Sequence, residues 1–315
     1  MKLIRGLVNL QHQNESSVAT IGNFDGVHVG HQAIIEKVLA KAKQLGLPSC
    51  VLLFEPHPKE YFMGESCPPR LTCFREKYNA LKDLGVDKLV VLQFNQSLRN
   101  MEAIAFVQSI LIERLSIKHL VVGDDFHFGK QRKGNFQLLE QMSVGQYTLE
   151  PTPSVLVDGE RVSSTLIRKT LAQADLAKAK KLLNRAFTIS GKVGFGQQLG
   201  RTINFPTANV AIKRIKAPLN GVFLVKCRWT ALGENCSAWG AANCGSRPTV
   251  DGTLHRLEVH LLDANPDLYG IELMVEFIAS IRAEKKFDSV EALKRQIVRD
   301  VEVSRKLISQ FETIE

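Results

Sequence analysis

Two histidines three residues apart close a glycine-rich stretch, residues 21–31, which reads IGNFDGVHVGH. A short apolar run ends at Ile21, and Gly22, Gly26 and Gly30 punctuate the loop leading into a helical stretch near His31. Glycines let phosphates approach the backbone, and a helix start offers unpaired N–H groups at the positive end of its dipole. His28 and His31 can both project from that first turn, where two imidazoles could donate to a polyphosphate and stabilise charge developing on it. Surface residues on a tight turn would look the same, and H-x-G-H alone leaves the two readings level. Residues 161–169, RVSSTLIRK, add a second candidate anion site. Ser163 or Ser164 suits an N-cap, Ser164 and Thr165 offer hydroxyls at a helix start, and Arg168 can grip a phosphate through two parallel N–H bonds. A well-capped ordinary helix explains the serines equally well. The loop GDDFHFGKQRKGN, residues 123–135, follows another strand-like run and carries Lys130, Arg132 and Lys133; alone, such a basic loop is usually just solvated.

The second half holds two further candidates. In GRTINFPTAN, residues 200–209, Pro206 stiffens the chain while Thr207 and Asn209 alternate, bringing two side-chain oxygens to one side. Oxygen ligands of that kind suit a Mg²⁺ ion held mainly by substrate phosphates, and a Pro-containing turn would contain them too. In LEVHLLDANPDLYG, residues 257–270, Glu258 and His260 share one strand face against Leu257, Val259 and Leu261. Glu258 there is either a general base or an outward-facing strand residue.

The elements that must position these groups are legible from periodicity. Residues 17–22, 50–54, 88–94 and 118–123 are short apolar runs, alternating with helical stretches over about 31–45, 72–84 and 101–115. Near-continuous apolar strands in a β–α–β–α order predict a parallel sheet covered on both faces, with ligands beyond the carboxyl ends of its strands. After Leu183 the pattern changes to strand-like runs over 187–193, 221–229, 257–262 and 271–277, followed by one helical stretch over 289–311. An antiparallel barrel or sandwich with a terminal helix is the simplest architecture, and the boundary is expected within residues 181–185.

The 315 residues suit two domains, and 44% hydrophobic with 23% charged residues is an ordinary globular composition. No apolar run is long enough to span a bilayer and no signal-peptide core is present, so a cytoplasmic protein is expected. The net charge of +9 divides into +4 up to Lys180 and +5 beyond it, with no basic tail. Such an even spread favours small phosphorylated ligands over nucleic acid or a membrane surface. The six cysteines form no C-x-x-C pair and no zinc-type cluster, which predicts reduced thiols without chemistry.

Taken in order, H-V-G-H, F-E-P-H-P (residues 54–58), R-L-T (70–72), G-D-D-F-H-F-G-K-Q-R-K-G and V-S-S-T-L-I-R resemble the adenylyltransferase half of bacterial bifunctional riboflavin kinase/FAD synthetases. GRTINFPTAN, NCGSRPTV (243–250), LEVHLLD…DLYG and IRAEKKFDS (281–289) resemble the kinase half of the same proteins. The resemblance implies a Rossmann-like nucleotidylyltransferase domain over residues 1–183, then a small six-stranded antiparallel β-barrel kinase with a C-terminal helix over 184–315. His28 and His31 would contact the ATP phosphates in the transition state, and Ser164, Thr165 and Arg168 would close over the triphosphate. Gly22, Asn23, Phe24, Gly30 and Asp125 would line the nucleotide and flavin pockets. In the kinase half Thr207 and Asn209 would bind Mg²⁺–ATP, and Glu258 would take the proton from the ribityl 5′-hydroxyl. Arg282 and Glu284 would lie near the flavin, with Arg201 also among the cofactor-binding residues. ATP, riboflavin and FMN are the implied partners, and the oligomeric state is left open. One departure stands out: Phe195-Gly196 occupies a position where the family commonly has His-Gly.

Two rival readings belong to other classes. H-x-G-H also occurs in class I aminoacyl-tRNA synthetases, but here S-S-T-L-I-R stands in place of their K-M-S-K-S-like loop. A flavin carrier without activity would have no need of His28, His31, Thr207, Asn209 and Glu258 together.

Overall fold

The four apolar runs of the first half form the central strands of a six-stranded parallel sheet: β1 (Lys2–Arg5), β2 (Ser17–Ile21), β3 (Ser49–Glu55), β4 (Lys88–Gln93), β5 (Ile117–Gly123) and β6 (Thr148–Thr152), in the order β1-β4-β3-β2-β5-β6, with β1 and β6 at its edges. The computed structural model describes residues 1–10, 15–196, 205–249 and 252–312, without the side chains of 246–255. These divide into two compact units, Met1–Pro68 with Phe74–Ser163, and Pro69–Cys73 with Ser164–Glu315.

In the first unit successive strand residues feed opposite layers, as a two-residue side-chain period requires. Ala19, Cys50, Leu52, Val90, Leu120 and Val122 point to one face, covered by Phe106, Val107, Ile110 and Leu139. Val51, Leu53, Leu89 and Val91 point to the other, together with Val18 and Val121. That second layer is closed by α1 (Val29–Leu45) through Ile35, Val38 and Ala42, and by α3 (Phe74–Asp83) through Leu81. Between them in the chain lies the short α2 (Pro58–Met63). On the first face, α4 (Gln96–Arg99) precedes α5 (Ala103–Phe106), which widens into a π-turned segment over Val107–Ile112, and α6 (Phe136–Ser143) follows β5. A small hairpin of β7 (Leu156–Val157) and β8 (Glu160–Arg161) ends the unit.

The second unit begins with α7 (Ser164–Ala172) and α8 (Leu176–Leu183), then closes a six-stranded antiparallel barrel. Its strands are β9 (Thr188–Gly194), β10 (Ala208–Val210), β11 (Gly221–Ala231), β12 (Glu234–Thr249), β13 (Gly252–Leu261) and β14 (Glu272–Arg282). The ring runs β10-β13-β12-β11-β14-β9 and returns to β10. Phe223, Phe277, Leu257 and Val259 are buried, with the Phe223 and Phe277 rings edge-on at 5.4 Å. The terminal helix α9 (Val290–Glu312) follows β14. The packing boundary at Ser164 precedes the change of periodicity at Leu183, because α8 buries Leu176, Ala179, Leu182 and Leu183 and packs against β14.

One polar cluster stabilises the sheet edge. His119 on β5 meets Thr148 Oγ1 at 2.6 Å through Nδ1 and Glu150 at 3.3 Å through Nε2, and Lys37 on α1 pairs with Glu150 at 2.8 Å. Burial holds the His119 imidazole below its usual range, against the pull of Glu150. The hydrogen bond from Lys37 lowers the Glu150 carboxyl. Both groups bind fewer protons folded than unfolded, so both lose stabilisation as pH falls: His119 from the ordinary imidazole range near about 6.5 downward, Glu150 further into acid. The thermal midpoint is therefore expected to drop between pH 7.5 and 5.5, and to drop less in His119→Asn; equal slopes in scanning calorimetry would contradict this.

Candidate active sites

In the sheet, β2 continues on one side to β3 and β4, while β5 returns to its other side. Order reverses between β2 and β5, and in open α/β sheets ligands bind beyond the strand carboxyl ends at such a point. The loop after β2 carries residues 22–28 and the loop after β5 carries Asp125, so the topology brings both to this crevice.

Locally the β2–α1 loop is tightly determined. Phe24, Gly26 and Val27 all adopt positive φ, at 48°, 91° and 41°. The turn delivers His28 to the N-cap of α1, its Nδ1 accepting from the His31 N–H at 3.4 Å. The two imidazoles stack at 3.6 Å with planes 17° apart. A Cβ on Gly30 would sit 3.3 Å from His28 Nδ1, so glycine there leaves the first ring its room. Gly22 is likewise close-packed: its Cβ would lie 3.0 Å from the Phe24 ring. Phe24 is 2% exposed and its ring packs 5.0 Å from that of His31. Asn23 is half-buried, and its Oδ1 is buried without a hydrogen bond among the described residues. Asp125 is exposed and ion-paired with Arg161 at the base of the β7–β8 hairpin.

Ser164, Thr165 and Arg168 stand in the first two turns of α7, which places Ser163 at the N-cap position. Thr165 is exposed, and half-buried Arg168 donates through Nε to the Pro69 carbonyl at 2.6 Å. This helix belongs to the second compact unit and the histidine loop to the first.

The barrel assembles its candidate residues by register. Asn209 on β10 faces Glu258 on β13, and Glu258 faces Asn243 on β12. Leu257, Val259 and Leu261 fill the interior, so Glu258 and His260 point outward, as alternation predicts. Outside the barrel they line a cavity of about 230 Å³ with Thr207, Asn243, Arg282 and Glu284, walled by Phe205, Phe287 and the α9 residues Leu293, Ile297 and Val301. A second cavity, of about 420 Å³, lies against Thr207, Pro206, Asn265, Pro266 and Tyr269. Thr207 lines both. His260 Nδ1 donates to the Pro206 carbonyl at 2.8 Å and pins the turn before Thr207. A Cβ on Gly196 would overlap the Asn209 amide, and one on Gly245 would overlap the Glu284 carboxylate, so at each glycine another residue's side chain fills the space a Cβ would take. Arg201 lies outside the described residues.

Arg282 is more constrained than a simple flavin contact would be. Its Nε and Nη2 bind the Asp300 carboxylate at 2.9–3.0 Å, and Gln296 donates to the same carboxylate at 2.9 Å. Asp300 is 5% exposed, so the pair ties α9 to the end of β14 along the cavity wall. Asp300 had a sequence signal: an acidic residue in the stripe Leu293, Ile297, Val301, Ser304. Asn243 had little, since its role comes from the register of β12. Also unforeseen is a surface group of Tyr61, Phe62 and Phe94, mutually edge-on at 5.3–5.7 Å beyond β3 and β4, with Arg99 5.2 Å above the Phe62 ring. Two adjacent exposed aromatics on the short α2 are its only trace in sequence.

Comparison with known families gives the class of each half. Residues 10–166 match the FAD synthetase family and residues 183–308 the Riboflavin kinase family. A Pseudomonas fluorescens bifunctional riboflavin kinase/FMN adenylyltransferase is 49% identical over 98% of both chains, and its Escherichia coli K12 counterpart is 44% identical over 97% of both. A solved Streptococcus pneumoniae structure, described as a macrolide-efflux protein, superposes with a TM-score of 0.81 at 29% identity over 97% of this chain and 99% of that one. The chain belongs to the bifunctional riboflavin kinase/FMN adenylyltransferase family. Among the described residues no helix is long and apolar enough to cross a membrane.

Proposed function

We propose that the barrel unit phosphorylates riboflavin at the Glu258 cavity and that the β2–α1 loop adenylylates the resulting FMN to FAD. In the first reaction the ribityl 5′-hydroxyl attacks the γ-phosphorus of ATP, Glu258 accepts the hydroxyl proton, and ADP leaves. The apolar cavity with convergent polar groups suits riboflavin, the larger cavity suits ATP, and Thr207 at their common wall marks where phosphate passes between them. Thr207 and Asn209 offer only neutral oxygen donors, the set that fits a Mg²⁺ ion sharing its other positions with phosphates and water. Bound there, Mg²⁺ would neutralise phosphate charge. Arg282 acts as an anchor for the wall that Glu284 and Phe287 contribute, and Arg201 is assigned to cofactor binding by its motif.

In the second reaction the FMN phosphate attacks the α-phosphorus of ATP and pyrophosphate leaves. No protein nucleophile is needed, so alignment and charge stabilisation carry the rate. His28 and His31 donate to the phosphates, Gly22 and Gly30 allow the close approach, and Asn23 and Asp125 face the nucleotide and flavin. Ser164, Thr165 and Arg168 are assigned to the triphosphate by their motif. The Tyr61, Phe62 and Phe94 rings offer the isoalloxazine a stacking surface. ATP, riboflavin and FMN are the partners, nucleic acid and membrane have no part, and the cytoplasm is the compartment.

The observation that carries this reading is the alignment of Asn209, Glu258 and Asn243 across three strands beside an apolar cavity. Incubation of the pure protein with riboflavin, ATP and Mg²⁺, followed by chromatography, is expected to yield FMN and then FAD. Riboflavin recovered unchanged would overturn the kinase assignment, and FMN without FAD would overturn the second.

A further inference from the structure

Phe195 is 79% exposed, yet its ring lies face to face with Tyr269 at 4.2 Å, planes 19° apart. The pair is held by backbone. Val193 bridges Tyr269 in parallel, the Gly270 N–H donates to the Val193 carbonyl at 2.9 Å, and the Val193 N–H donates to the Ile271 carbonyl at 2.9 Å. Tyr269 lines the 420 Å³ cavity that Thr207 shares. Phe195 also follows Gly194, which pairs with Asn209, and precedes Gly196, against which the Asn209 amide packs. The stack with Tyr269 thus sets one exposed aromatic ring against a wall residue of the larger cavity, one residue along the chain from the Gly194 that pairs with Asn209.

We propose that Phe195, backed by Tyr269, is a specificity-determining residue of the kinase reaction that stacks the planar base of the nucleoside triphosphate. The inference rests on the larger cavity being the nucleotide site. An exposed ring with one face already covered presents its other face to a planar heterocycle, and such stacking tolerates any base while rewarding the wider surface of a purine. An imidazole there would add a titratable donor; phenylalanine offers the π-face alone. The ring is exposed, so its removal leaves no cavity in the core.

The test is steady-state riboflavin phosphorylation by the full chain, with ATP and CTP as phosphoryl donors. Phe195→Ala is expected to raise KM for ATP about tenfold, the size of one lost base–aromatic stack. KM for riboflavin and the adenylylation of supplied FMN should stay unchanged, the preference for ATP over CTP should shrink, and Phe195→Trp should restore it. An unchanged KM for ATP in Phe195→Ala overturns the proposal, as does a rise confined to riboflavin. Absence of riboflavin phosphorylation in the unsubstituted protein would instead remove the kinase reading beneath it.

Discussion

Glu258→Gln is expected to abolish riboflavin phosphorylation while FMN supplied directly is still converted to FAD. Glutamine keeps the shape of the side chain and part of its hydrogen bonding, but it cannot accept the hydroxyl proton. General-base assistance is worth about 10²–10⁴ in rate, so the loss should dominate any effect on binding. Glu258 is well placed for the role: half-buried, outward from the barrel, cross-strand from Asn209 and Asn243, with Arg256 3.9 Å from its carboxylate. The substitution sits on an outer face and leaves Leu257 and Val259 in the core. With riboflavin the variant should make neither FMN nor FAD. If both activities fell together in a folded protein, the two reactions would depend on one another. If neither fell, Glu258 would be an ordinary strand residue.

The second large effect is expected at the stacked histidines. His31→Ala should cut FAD formation from FMN by about 10²–10³, the loss of about 2.7–4 kcal/mol typical of one pre-organised donor to a charged transition state. His28 has a second duty as the N-cap of α1, so His28→Ala would combine a chemical loss with about 1 kcal/mol of helix stability. His28→Asn separates the two, because asparagine keeps a capping oxygen and lacks the imidazole. FAD synthesis by His28→Asn should fall nearly as far as by His28→Ala, while the melting temperature recovers. Riboflavin phosphorylation should survive in all three variants. Wild-type FAD synthesis in His31→Ala would remove the histidines from the mechanism.

The central sheet strands were legible because β2, β3, β4 and β5 are largely buried on both faces and read as near-continuous apolar runs. The edge strands were not. β1 buries only Ile4 and β6 only Thr152, so neither has the composition that marks a strand. β12 escaped for another reason: ENCSAWGAANCGSRPT is small and polar, and its length is set by partners on both sides rather than by its own propensity. At the sites, motif residues on single loops could be read, while pairings made by distant segments could not. Nothing local in Asn243 announces Glu258, and Phe24 in a ligand-type loop gives no sign that its ring turns into the core. The packing of α8 was hidden likewise, since it is helical in pattern yet packs on a strand of the barrel.

The three-strand alignment at Glu258 also has a bearing on how this barrel can change length. Sides alternate every residue, so a single insertion between Gly252 and Glu258 would reverse parity, turning the carboxylate inward and leucine or valine toward substrate. Closure makes that error hard to absorb, because β13 is paired on both flanks, to β10 and to β12. Paired insertions preserve parity. Length variation tolerated within β13 between Gly252 and Glu258 should therefore come in twos, a rule that a library of one-, two-, three- and four-residue insertions there, screened for riboflavin phosphorylation, would expose.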